Sequence, residues 1–345
     1  MQQYIRITKE KDKLAGDATT GYNSGPMDSP VLNSDYIWLE IGTQAPAINQ
    51  QYTTWTVQSV VPKRGVTNRT TGADQYRITG QFQTHLFHEQ AVFWKKAVLE
   101  PSYDPTTLVQ DLPSYCIDRV IIGYEGLKWT DRITGCKFSQ ATLASSSGAQ
   151  APVSLNVSFT GSKRDKIPDT TAADIPNLTH PNCTDLPTKV YRWSKSTILL
   201  NPDATAVADQ LSLDKVIRSW TVEINHTLSE RINKGAYITA LAHHGWNPSL
   251  SAVWDIDDWV LKQRYLDIYK GQESVKFAKS TLVLADANST GNTTFTWKNL
   301  VLENLQDSFP ITEFMSGSGK FKPHFDCSEL DLQVSYLAGT AVTPP

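Results

Sequence analysis

Apolar residues recur at every second position through much of this chain. Tyr76, Ile78 and Phe82 alternate with polar neighbours over 75–84, the period of a half-buried strand. Val153, Leu155, Val157 and Phe159 repeat that pattern before Gly161. So do Leu330, Leu332, Val334 and Tyr336 before Gly339. Apolar or β-rich runs at 36–41, 52–61, 120–122, 134–143, 190–200, 220–225, 250–254, 281–284 and 294–302 predict further strands. Two stretches change period. Over 85–99, Phe87, Ala91, Trp94 and Val98 fall three to four residues apart and form one helical face, which Pro101 ends. Over 255–269 a second helix is predicted, with Asp255 as its N-cap, Asp257 and Asp258 in its first turn, and Gly271 as its stop. Segments 61–74 and 229–248 are turn-rich and show no period, so they are predicted to be long loops.

The same order of elements occurs twice. Trp55-Thr56-Val57 reappears as Trp220-Thr221-Val222, 165 residues later. Trp94 and Trp259 repeat that offset, and Trp129 and Trp297 pair at an offset of 168. Each half reads strand, long loop, strand, helix, then several strands, and closes on an alternating strand followed by glycine. An internal duplication is predicted. The expected fold is mainly β, with two tandem antiparallel β-sandwich or barrel domains, each carrying one flanking α-helix. Residues 1–35 form an N-terminal arm with at most one short strand, at 4–8. The first domain covers 36–162 and the second 188–340. Between them, 163–187 reads as a linker, interrupted by Pro168, Pro176, Pro181 and Pro187, with Lys163-Arg164-Asp165-Lys166 as a solvated charge cluster.

Composition narrows the function. With 345 residues, each half is long enough to bury its own core. The 35 acids outnumber the 32 bases, for a net charge of -3. A protein that grips nucleic acid shows a basic excess, whereas a near-neutral or acidic wall suits a channel through which DNA slides. Cys116, Cys136, Cys183 and Cys327 match no zinc spacing. The N-terminal residues hold no apolar signal core and no run of 18 apolar residues occurs, so synthesis in a cytoplasm with reduced thiols is expected.

Candidate chemistry is thin. Gly317-Ser318-Gly319-Lys320 resembles the end of a phosphate loop, but Phe321 and Phe314 stand where a hydroxyl and the first glycine are required, so a flexible turn is expected. His85 and His88, near a helix start, satisfy neither metalloprotease spacing and read as surface histidines. His243-His244 lies in the second long loop, where a contact loop is preferred over a metal. Asp255, Asp257 and Asp258 beside Trp246, Trp254 and Trp259 could be cast as glycosidase carboxylates and sugar platforms, but helix capping plus core aromatics accounts for them better. No catalytic, cofactor-binding or metal-ligating residues are assigned. The two long loops remain, because long loops without structure often carry function. Lys63, Arg64 and Arg69 in the first, and Arg231, Lys234 and Tyr237 in the second, are the candidate inter-ring or inter-subunit contacts.

Thr134-Gly135-Cys136-Lys137-Phe138 through Phe159-Thr160-Gly161, and 219–225 through Gly235 to 250–254, resemble motifs of the tail tube proteins of long-tailed, siphovirus-like bacteriophages. The likeness covers residues 30–340 and rests on the order of elements. It implies β-sandwich domains with a flanking helix, assembled as stacked rings into a hollow conduit for DNA. It also implies a virion tail location after assembly in the host cytoplasm, and no catalytic residues, cofactor or membrane insertion. The implied partners are copies of the chain itself, as a homotrimeric ring with pseudo-sixfold symmetry, with a tape measure protein in the lumen and distal tail and tail terminator proteins at the ends. A ring of six chains, another tail, baseplate-hub or secretion-type tube component, and a carbohydrate-binding protein are the competing readings.

Overall fold

The computed structural model describes residues 2–11, 25–40, 47–60, 67–99, 102–104, 109–122, 128–148, 151–168, 187–200, 211–213, 217–232, 238–255, 276–286, 291–308, 316–323 and 330–336. The first half contains β1 (Gln2–Lys9), β2 (Tyr36–Glu40), β3 (Ala47–Val60) and β4 (Thr67–His85). A short helix α1 (Ala91–Trp94) then runs into a π-helical turn (Lys95–Leu99). After it come β5 (Ser102–Asp104), β6 (Val109–Asp111), β7 (Tyr115–Ile122), β8 (Lys128–Ser146), β9 (Ser154–Gly161) and β10 (Lys163–Pro168). The second half contains β11 (Tyr191–Leu200), β12 (Leu211–Ser212), β13 (Ile217–Ile232), β14 (Ile238–Asp255), β15 (Lys276–Asp286), β16 (Gly291–Ser308), β17 (Ser316–Pro323) and β18 (Leu330–Tyr336). The fold is mainly β and antiparallel, as the alternating pattern predicts. Sixteen strands belong to one sheet, and β5 and β6 form a separate hairpin.

Apart from the β5–β6 hairpin, the two halves repeat each other strand for strand. In the first, β3 pairs β4, β4 pairs β9, β9 pairs β8, β8 pairs β7 and β10, β7 pairs β1, and β1 pairs β2. Replacing these in order by β13, β14, β17, β16, β15, β18, β11 and β12 gives every pairing of the second half. Two of the bulges coincide as well. Phe138 and Gln140 straddle one opposite Phe159 and Ser158; Leu302 and Asn304 straddle its copy opposite Phe321 and Lys320. Five residues along from Gly80 and from Leu250, each hairpin again skips one residue, after Thr53 and after Thr227.

These registers correct the residue matches drawn from the sequence. Following them, β8 maps onto β16 at a displacement of 164 and β3 onto β13 at 174. Val222 therefore stands where Ile48 stands, and Trp55 corresponds to Ser229, not to Trp220. Trp297 does not take the place of Trp129 either. The alternating strand β9 matches β17, while β18 is the counterpart of β10. Trp259 lies outside the described residues. The duplication is a property of backbone pairing, which constrains which face a residue uses but not which residue it is.

Other elements differ from expectation. The loops predicted at 61–74 and 229–248 are largely strands: β4 begins at Thr67, and β13 and β14 pair out to Ile232 and Ile238. Asn225, Thr227, Ser229 and Arg231 are exposed along this arm, and its buried apolar residues, Ile238 and Leu241, lie three apart, so no regular strand period shows in the sequence. The first helix starts at Ala91, not at His85, because β4 continues to His85, paired with Ser154; it runs on through the π-helical turn to Leu99. Of the second, Asp255 closes β14 and 256–275 lie outside the described residues. The charge cluster at 163–166 is β10, where Arg164 grips Asp131 of β8 at 2.6 and 2.8 Å. The strand expected at 4–8 is β1, paired on both flanks by β2 and β7.

One core runs through both halves. Trp94, Phe82, Phe138, Phe159 and Tyr115 pack edge-on and tilted in the first; Trp220, Phe277, Phe295 and Trp297 fill the second. Gly135 shows why its motif needs glycine. It adopts φ 66 beside the bulge where Tyr115 faces Cys136 and Ile117 faces Ile133. Its amide donates to Glu10 Oε1 at 2.7 Å, tying the end of β1 to β8.

Candidate assembly surfaces

The joint between the halves is itself a strand pair. Residues 219–225 of β13 pair with 146–140 of β8, so the sheet passes from one half into the other without a break. Leu143 faces Val222 and Ala141 faces Ile224 across it, all four fully buried. A second set of contacts braces this pair. The main chain of 189–193 bonds to Leu86, His88, Ala151 and Val153, and Glu89 accepts the amides of Thr188 and Lys189. His88 Nδ1 meets Tyr191 Oη at 2.7 Å, and Tyr191 Oη meets Thr293 Oγ1 at 2.5 Å. His88 is therefore a buried joint residue and not a surface histidine. Burial lowers its pKa, opposed by Asp286 and Glu89.

The opposite face of this sheet is polar and almost without charge. Gln81, Ser158, Gln140, Asn225 and Asn247 lie in register across β4, β9, β8, β13 and β14. The next row, Gln83, Asn156, Thr142, Glu223 and Ser249, contains one carboxylate. Lys320 Nζ stands 3.9 Å from that carboxylate. Amides and hydroxyls at alternate positions, with the core on the other side, are what a half-buried strand dictates. The assembly of the row from five distant segments is not visible in any one of them.

The two long hairpins project beside this face. Arg69 lies in β4, opposite Gln58, and Arg231 lies exposed in β13, opposite Ala240. They belong to different hairpins. Lys63, Arg64, Lys234 and Tyr237 lie outside the described residues. Pattern reading missed Arg77 and Glu230, whose 2.7 Å ion pair links the base of the first hairpin to the second across a polar cleft. No local signal marks that pair, because its partners are 153 residues apart.

Interior chemistry is structural. Burial pushes the Cys116 and Cys136 thiols well up, with Glu10 and Asp118 adding to it, so both are held protonated. His226 Nε2 donates to the Val98 carbonyl at 2.7 Å, leaving Nδ1 to face His243 Nε2 at 3.1 Å, while Trp246 stacks on its ring. Burial, with a smaller push from His243, lowers its pKa to about 4 against the Val98 hydrogen bond. Among the described residues no three His, Cys, Asp or Glu side chains are grouped to hold a metal. Residues 317–320, expected as a flexible turn, lie within β17, paired with β14. Trp254 is a core residue, while Asp257, Asp258 and Trp259 lie outside the described residues.

Duplicated antiparallel units, a shared sheet and a weakly charged face accompany a family match that covers most of the chain: residues 12–320 match the phage tail tube protein family. The chain belongs to that family. A solved structure, the tail of an empty GTA particle refined with helical, C6 symmetry, is similar at 10% identity and a TM-score of 0.29. The match covers 43% of this chain and 98% of that one. None of the curated proteins compared matches it. This tail tube protein is thus a structural component of a virion tail. None of its helices among the described residues is long and apolar enough to cross a membrane.

Proposed function

We propose that three copies of this tail tube protein close into one ring of six quasi-equivalent units, and that rings stack into the conduit of a siphovirus-type tail. The repeated strand order carries this reading. One chain supplies two units with the same eight-strand pairing, already joined edge to edge through β8 and β13. Closed rotational symmetry is the usual way to satisfy such edges. On this reading the two units run from β1 to β10 and from β11 to β18, so the first takes in part of the stretch read from sequence as an arm (1–35) and the start of the stretch read as a linker (163–187). The weakly charged rows through Gln140 and Asn225, in which the Glu223 carboxylate stands near Lys320, support a lumen wall, since DNA slides best where no cationic excess holds it. The hairpin residues Lys63, Arg64, Arg69, Arg231, Lys234 and Tyr237 serve as inter-ring contacts. The protein works without catalysis or cofactor, with a tape measure protein in the lumen and distal tail and terminator proteins at the ends.

Negative-stain microscopy over a concentration series tests this. End-on views with six lobes, and side views of hollow tubes of one width, are the expected result. Persistent monomers at high concentration, with or without an initiating tail-tip complex, would refute it.

A further inference from the structure

The joint inside the chain is a template for the joint between chains. At 292–297, β16 is flanked by β15 on one side and β18 on the other. At 300 and 301 the flanks belong to β15 and β17, so β17 continues on the side of β18. From 304 to 308 β17 holds that side, and among the described residues nothing holds the other. On the equivalent flank of β8, residues 140–146 carry β13. The mirror situation holds for β3. Its flank toward β4 is filled from Ala47 to Val60, and among the described residues its other flank is open, whereas the same flank of β13 carries β8. Each chain thus presents two complementary strand edges, and the protein already contains one example of how such edges meet, the β8–β13 pair.

Resting on the ring reading above, we infer that residues 304–308 of β16 pair antiparallel with residues 51–47 of β3 in a second copy of this chain, in the register of the β8–β13 joint. Transferring that register is direct. Gln140 opposite Asn225 becomes Asn304 opposite Gln51 of the neighbouring copy. Thr142 opposite Glu223 becomes Gln306 opposite Asn49, and Ala144 opposite Thr221 becomes Ser308 opposite Ala47. On the same face, Lys320 next to Asn304 continues the row that Ser158 and Gln140 begin. The two edges differ, so the contact is head-to-tail. Such a contact closes into a ring when its rotation divides a full turn. If the joint between chains repeats the joint within the chain, every step around the ring is the same operation and three chains supply six steps.

Directly opposed residues on antiparallel strands lie about 4.5–5.5 Å apart at Cα, within the span of a disulfide. Three double variants are prepared: Gln306→Cys with Asn49→Cys, Asn304→Cys with Gln51→Cys, and Ser308→Cys with Ala47→Cys. Each is assembled, mildly oxidised and run without reductant, beside its single variants and beside Gln306→Cys with Gln50→Cys, which sets the two thiols on opposite faces. Covalent dimers and trimers are expected from at least one in-register pair, and none from the singles or the out-of-register pair. As a check on the unmodified protein, amides in 47–51 and 304–308 are expected to gain hydrogen-exchange protection together as rings form. Rings visible by microscopy with no in-register cross-link and no gain in protection would overturn this pairing while leaving the tube reading intact. Absence of rings under every condition would remove both.

Discussion

Acid should loosen the joint between the two halves through His226. This imidazole sits at the end of the β8–β13 pairing, bonded to Val98 of the first half and facing His243 and Trp246 of the second. Its pKa falls from an ordinary value of 6.5 to about 4 in the folded chain. Above pH 6.5 both folded and unfolded chains keep it neutral and stability is unaffected. Between 6.5 and 4 only the unfolded chain binds the proton, so stability falls as pH falls, and the loss levels off below 4. The linkage relation gives a loss of about 2 kcal/mol at pH 5 and about 3 kcal/mol at pH 4. His88, shifted the same way, adds to the slope, so the measurement is a comparison. Equilibrium urea unfolding of wild type and His226→Gln, at concentrations below ring formation, is followed from pH 7.5 to 4. Gln keeps a donor for the Val98 carbonyl and cannot titrate. Wild type should lose on the order of 2 kcal/mol more than the variant between pH 7 and 5. Equal slopes for the two proteins would refute the reasoning.

Other expectations follow from the same contacts. Asp118, fully buried, accepts from Arg6 at 3.0 Å and from Arg132 at 2.7 and 3.0 Å, binding β1, β7 and β8 in one row. Asp118→Asn leaves two buried guanidiniums short of their counter-charge and should cost about 3–5 kcal/mol in urea unfolding; a loss below 1 kcal/mol would contradict it. At Gly80 a Cβ would come within 2.3 Å of the Phe159 ring, so Gly80→Ala should overpack the core by about 1–3 kcal/mol. An unchanged midpoint would show that the ring yields freely. Replacing residues 58–69 of the β3–β4 hairpin by a two-residue turn should leave the fold intact by circular dichroism and allow rings but abolish tubes; tubes of normal length would sink the stacking role of Lys63, Arg64 and Arg69.

The fold class was legible because alternation is written by burial. Ile78, Phe82, Leu155, Val157, Trp220 and Val222 all point into the core from strands that the pattern places correctly. What failed did so where burial gives no signal. Residues 67–74, 229–232 and 238–246 are strands held by main-chain pairing, and their sequences carry turn residues and no regular apolar period. β10 is hidden for a different reason: its charges face Asp131 across the sheet, a partner 33 residues back. The duplication was legible as an order of elements, yet the tryptophan matches that signalled it are not equivalent positions. Bulge placement, which decides equivalence, depends on where two strands slip past each other and leaves no mark in either strand alone. The candidate contact residues were read as lying in two long loops, and Arg69 and Arg231 instead lie on hairpin strands; the uncharged row through Gln140 and Asn225 needed the topology.

The most direct test of the account is the native mass of a single isolated ring. Three copies of the 38.4 kDa chain are expected, with six lobes in projection of the same particles. A ring of six chains would contradict the central claim, because one half of each chain would then stand outside the ring wall.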